Sequence, residues 1–93
     1  MSDRQRFEWS AEKRAVNLAK HGVDFADVLS VFDDPYALTY DSYRNGEQRW
    51  SIIGLAFPRV VFVVYTERAG DTIRIISARK ATSQERQLYE QHL

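Results

Sequence analysis

A chain of 93 residues, 44% of them hydrophobic and 13% aromatic, is set up as one small folded domain over residues 1–93 and is too apolar for a disordered tail. It contains no cysteine, which excludes a disulfide framework and a cysteine-rich zinc site. A net charge of zero argues against a non-specific nucleic-acid binder, which needs a clear positive excess, and leaves room only for a local basic patch.

The charge is unevenly spread. Residues 1–22 carry five basic and three acidic groups, and residues 42–93 carry eight and five. Between them, residues 23–41 hold Asp24, Asp27, Asp33, Asp34 and Asp41 with no Lys or Arg. The opening "MSDRQRFEWS" lacks the apolar run of a signal peptide, and no segment reaches the ~20 apolar residues of a membrane span. The expectation is a cytoplasmic protein without membrane contact.

Ser10 is placed to cap a first helix, with Glu12 in the first turn and Ala11, Ala15, Leu18 and Ala19 at helical spacing. Lys20 and His21 suit its negative end, and Gly22 supplies the left-handed stop. Asp24 opens a second predicted helix. Phe25, Val28, Leu29 and Phe32 form its one-sided apolar stripe, and Pro35 ends it. The period then changes. Strands are expected over residues 37–43, 47–55, 60–66 and 72–79, joined by the turns "RNG" and "RAGD" and by a connection holding Pro58. Such short links favour an antiparallel meander. Thr82 and Glu85 form a capping box for a last helix whose apolar content, Leu88, Tyr89 and Leu93, is thin enough to predict loose docking. The expected fold is α+β: two N-terminal helices, a four-stranded antiparallel meander and one C-terminal helix. The helices would lie mainly on one sheet face, leaving the other free to bind.

The last strand and helix, "DTIRIISARKATSQERQLYE", carry Arg74, Arg79, Lys80 and Arg86. Residues alternate faces along a strand, so Arg74 and Arg79 point to opposite sides unless a bulge intervenes. A solvated arginine or a bridge to Glu67 or Glu85 explains either one alone. Converging guanidiniums at one sheet end suit a phosphate better. Glu47 and Arg49 share a strand face at i and i+2, either as a weak surface pair or as a carboxylate base beside a cation. Tyr89 is a packing residue, a proton donor or a stacking platform. His21 is accounted for by its place at a helix end. The aspartates reach no diagnostic metal spacing, and neither a phosphate loop nor a nucleophile motif is present, so no metal or cofactor is expected.

Three blocks together resemble one known family. They are "FEWSAEKRAVNLAKHGVDFADVLSVFDDP" from Phe7 to Pro35, "EQRWSIIG" from Glu47 to Gly54, and "IRIISARKATSQERQLYE" from Ile73 to Glu90. Their "KHGV.F" and "R.ISAR.A...ER..Y" patterns are similar to those of the BrnT type II toxins, with Ser10 where an Asp is common. The resemblance implies a RelE-like fold and a ribonuclease toxin that blocks translation. It also implies a BrnA-type antitoxin with a ribbon-helix-helix segment, and operator DNA contacted only through that antitoxin. Metal-independent cleavage needs a base for the 2′-hydroxyl, cations for the phosphorane and an acid for the leaving oxygen. The expected parts are Arg74 and Arg79 as transition-state cations, Arg49 assisting, and Glu47 as base. Tyr89, Lys20 and His21 are candidates for acid or RNA contact, with Lys80 and Arg86 as RNA contacts. A non-catalytic module that binds protein or DNA through the same basic surface is the competing reading.

Overall fold

The computed structural model describes residues 5–93. The first four residues of the N-terminal stretch, and so the start of the expected domain, lie outside the described residues. In chain order come β1 (Arg6–Glu8), α1 (Ala11–His21), two short 3₁₀ turns (Phe25–Asp27 and Leu29–Asp33), β2 (Leu38–Arg44), β3 (Glu47–Ala56), β4 (Arg59–Arg68), β5 (Thr72–Lys80) and α2 (Ser83–Gln91). The strands form one sheet in the order β1-β5-β4-β3-β2.

Three parts of the expected fold are corrected: the sheet, the second helix and the shared helix face. The sheet is five-stranded and mixed, because β1 pairs parallel with β5 through Arg6–Thr72, Phe7–Ile73 and Glu8–Arg74. A three-residue strand has no periodicity to read, and parallel pairing with a strand 66 residues away leaves no turn signature. The second predicted helix is a pair of 3₁₀ turns. Phe25, Val28 and Val31 are fully buried, a spacing of three that matches three residues per turn. Leu29 and Phe32, which an α-helical stripe would bury equally, only flank the core. The four-stranded meander within the sheet is present, from β2 to β5.

The main core lies on one face, while Ile53, in register with Phe62, is buried on the other. Phe25, Val28 and Val31 pack against Ile52, Val61, Val63 and Ile75, and Phe32 meets Tyr65 edge-on at 4.9 Å. Gly54 sits where the 3₁₀ segment crosses β3. A Cβ there would lie 2.9 Å from the Ala37 Cβ and 3.0 Å from the Val31 Cγ2.

The helices do not share that face. Within α1 only Asn17 is buried, so its apolar stripe of Ala11, Ala15, Leu18 and Ala19 faces no core. Asn17 holds the helix against the outer edge of β5, beyond the end of β1. Its Nδ2 donates to the Ala78 carbonyl at 2.8 Å and to the Val23 carbonyl at 2.9 Å, and its Oδ1 accepts from the Ala78 N–H at 3.1 Å. A single amide thus occupies both backbone groups that a neighbouring strand would pair. α2 packs against β3 and is anchored by polar contacts more than by its thin apolar set. Tyr89 is buried with its hydroxyl on Asp34, and His92 Nδ1 lies 3.0 Å from the Tyr36 carbonyl. The expected caps form: Ser10 on α1, left-handed Gly22 behind it, and the Thr82–Glu85 box on α2. No described helix is long and apolar enough to cross a membrane.

Candidate functional site

The second face of the sheet carries the basic groups, and one irregularity in β5 determines which. Tyr65 pairs with Ile75 but Val64 pairs with Ser77, so Ile76 is an extra residue. The bulge resets the alternation. Ile75 and Ala78 both point into the core, while Arg74, Ser77 and Arg79 all point to the second face with their partners Thr66, Val64 and Phe62. Without a bulge, Arg79 would have shared a face with Ile73 and Ile75, away from Arg74. By the same register Ser42, Arg49 and Ser51 occupy this face from β2 and β3.

Arg74 and Arg79 share the face without touching. Five residues of strand separate them by roughly 15 Å, and each has its own carboxylate. Arg79 makes a two-pronged contact with Glu85 of α2, at 2.8 and 3.0 Å, and its guanidinium lies 4.2 Å above the Phe62 ring. The hydrogen bonds from Arg79 outweigh partial burial and hold the Glu85 carboxyl below its usual range. Arg74 donates to Glu8 at 3.0 Å, and Arg68 approaches the same oxygen at 3.7 Å. Arg49 meets Glu47 at 2.8 Å, an exposed pair worth under ~1 kcal/mol.

Between these groups lies a cleft of about 380 Å³ lined by Ser42, Arg44, Arg49, Ser51, Phe62, Val64, Ile76 and Ser77. A second cleft, of about 390 Å³, runs between α1 and β5 and includes Lys13, Lys20 and His21. It also includes Ile76 and Ser77, so the two clefts adjoin at the bulge.

The remaining expected residues are scattered. Arg86 turns back on its own helix start, donating to the Ala81 carbonyl at 3.4 Å and to Ser83 Oγ at 3.3 Å. Lys80 is exposed at the strand end, in register with core-facing Val61. The Tyr89 hydroxyl donates to Asp34 at 2.6 Å, and burial together with that carboxylate pushes its pKa up to about 12. Sequence reasoning missed Arg44, absorbed into a turn, and Phe62, hidden inside an apolar strand. The signal for both was their register against Arg49 and Arg79, which needs the pairing to be known. Among the described residues no three His, Asp or Glu side chains form a metal-binding group.

Comparison with known proteins places this arrangement in context. The family described as "Ribonuclease toxin, BrnT, of type II toxin-antitoxin system" matches residues 9–85. The crystal structure of the Brucella abortus ribonuclease toxin, BrnT, is similar, with a TM-score of 0.72 and 27% sequence identity. The match covers 85% of this chain and 99% of that one. Among curated proteins, none matches.

Proposed function

This chain belongs to the BrnT family of ribonuclease toxins of type II toxin–antitoxin systems, and we propose that it cleaves RNA without a metal on the second face of its sheet. The observation that carries this reading is the bulge at Ile76, which turns Arg74 and Arg79 to one face and brings the Lys20–His21 cleft alongside it.

The reaction balances with protein groups and water. A carboxylate, Glu47, takes the proton from the 2′-hydroxyl, whose oxygen attacks the adjacent phosphorus. The bond from phosphorus to the 5′-oxygen breaks, and that oxygen takes a proton from solvent, leaving a 2′,3′-cyclic phosphate and a 5′-hydroxyl, while His21, across the sheet from Glu47, is an RNA contact. Arg49, bonded to Glu47, stabilises charge on the phosphorane, and Arg74 and Arg79, roughly 15 Å apart along β5, hold separate phosphates of the substrate. Arg79 is held over Phe62 by Glu85, so its fork is oriented before substrate arrives. Lys20, Lys80 and Arg86 contribute attraction for the backbone. Tyr89, bonded to Asp34, fixes α2 behind Arg79 and is not the proton donor in this scheme.

The family implies an antitoxin partner. In our reading it is a BrnA-type protein that covers the basic face, contacts operator DNA on behalf of the pair, and meets the toxin in the cytoplasm. The test is induced expression with purified protein beside it. Growth arrest, together with cleavage of RNA to cyclic-phosphate ends by the purified chain, supports the reading. A folded protein that arrests growth but cleaves neither free nor ribosome-bound RNA would falsify it and favour a binding module.

A further inference from the structure

We infer that the two adjoining clefts are one groove, and that it takes a single strand of RNA crosswise over the sheet from α1 to β2. This rests on the ribonuclease reading and adds the strandedness and the path of the substrate.

The two clefts meet at the bulge because of how α1 is held. Asn17 plugs the β5 edge at Ala78, so the helix stands beside the sheet rather than over its second face. At that edge the bulge presents Ile76 and Ser77 to both clefts. A ligand leaving the helix side therefore passes over Ile76 and Ser77 onto the sheet.

The charges follow the same line. Lys13 and Lys20 lie on the helix side and Arg44 and Arg49 on the sheet side. Among the described residues Lys13, Lys20 and Arg44 enter no ion pair. Glu12 is the one carboxylate among the described residues lining either cleft, and Glu47, bonded to Arg49, borders the sheet side where cleavage is placed. A chain with zero net charge thus collects a basic track along one path, as a polyanion requires.

The floor decides between one strand and two. Phe62, Val64 and Ile76 are half-buried between the cations. A duplex hides its bases and offers such a floor only sugar and phosphate, whereas an unpaired strand can lay its bases on Val64, Ile76 and the planar Arg79 guanidinium stacked over Phe62. The path over β5, β4, β3 and β2 spans roughly 14 Å at ~4.8 Å per strand, to which the helix-side cleft adds its own width.

The experiment measures binding apart from cleavage. A fluorescent 2′-O-methyl oligoribonucleotide of about eight nucleotides has no free 2′-hydroxyl, so it reports affinity alone. With four phosphate contacts the slope of log K against log salt is about −2.8, from about −0.7 per contact on a single strand. Lys13→Ala, Lys20→Ala, Arg44→Ala and Arg49→Ala should each flatten it by about 0.7. The same sequence as a duplex should bind at least about tenfold more weakly. Thermal melts check that the variants stay folded, and Lys20→Gln is a second variant at the helix position.

Wild-type slopes in folded Lys13→Ala and Lys20→Ala would overturn the path over α1, and equal binding of the duplex would overturn the single strand. If those lysine variants keep the RNA slope but weaken the antitoxin complex, α1 belongs to a protein interface and the inference falls. Correct slopes with no cleavage of unmodified RNA would leave the groove standing and remove the ribonuclease reading instead.

Discussion

The Tyr89 hydroxyl donates to Asp34 Oδ2 at 2.6 Å, joining the last helix to the loop that precedes β2. Asp34 also accepts from the backbone N–H groups of Leu55 and Tyr36. Burial pushes its carboxyl up, yet the three donors together bring it below its ordinary range. Through this one carboxylate α2, the 3₁₀ segment and β3 are tied at a single point.

Tyr89→Phe should therefore cost about 1.5–3 kcal/mol, the range for a hydrogen bond to a charged group, with little loss of chemistry beyond what reduced folding explains. The pH dependence has a definite sign. Tyr89 in the folded chain titrates near 12 rather than 10, so its contribution is fully present below pH 10 and is lost as pH rises toward 12. Asp34 works the other way: its contribution holds above the ordinary carboxylate range and disappears as pH falls through its lowered value. Urea unfolding of wild type and Tyr89→Phe across alkaline pH checks this; parallel curves for the two proteins would refute it.

Gly54→Ala tests the close crossing of the 3₁₀ segment over β3. The added methyl meets the Ala37 Cβ at 2.9 Å, and neither side can rotate away. Overpacking of this kind costs about 1–3 kcal/mol, read as a lowered urea midpoint at unchanged slope. A midpoint at or above wild type would mean that the segment yields freely.

Arg79→Ala and Arg74→Ala should each lower RNA cleavage by about 10- to 100-fold, the loss of one charge-assisted phosphate contact, with both proteins folded. Arg79→Lys separates charge from geometry. It keeps the cation but loses the two-pronged contact with Glu85 and the placement over Phe62, so it should recover only part of the activity. Full activity in both folded alanine variants would remove these arginines from the site.

Cleavage should survive excess EDTA and leave 2′,3′-cyclic phosphate ends, because the proposed chemistry draws its base and cations from side chains. Activity that disappears with chelator and returns with magnesium would relocate the site toward the aspartates of residues 23–41.

Silencing by an antitoxin should depend on the same face. An acidic segment landing on Arg49 and Arg79 would gain association rate from charge steering and lose it with salt. Arg79→Glu should then weaken the complex and flatten its salt dependence while abolishing cleavage. Unchanged affinity and salt slope would show that the antitoxin binds elsewhere.

How much of this was legible in the sequence follows from the range of each signal. Caps are local, so Ser10, Gly22 and the Thr82–Glu85 box were readable within a few residues. The four meander strands were readable too, since turn residues bound each of them and β4 is a continuous β-branched and aromatic run. The parallel pairing of β1 was not, because nothing in "RFE" points to a partner 66 residues away. Helix type was ambiguous because Phe25 and Val28 fit periods of 3 and 3.6 alike, and Val31 decides it only once its burial is known. The site depended on a single inserted residue. Arg74 and Arg79 were visible as cations, but whether they share a face hung on Ile76, and a bulge is a property of two strands together.

Asn17 has a consequence for how copies of this chain can meet. Its amide closes the outer edge of β5 at Ala78, and the rest of that side is the three-residue β1. The opposite margin is different: β2 runs seven residues, paired on one side only, with Tyr40 and Tyr43 exposed. Strand-to-strand addition between chains needs a long open margin on each partner. With one such margin among the described residues, joining two copies through β2 uses up what each has to offer. The assembly then stops at a pair and cannot extend into a fibre, which would need a second face to pass the pairing on.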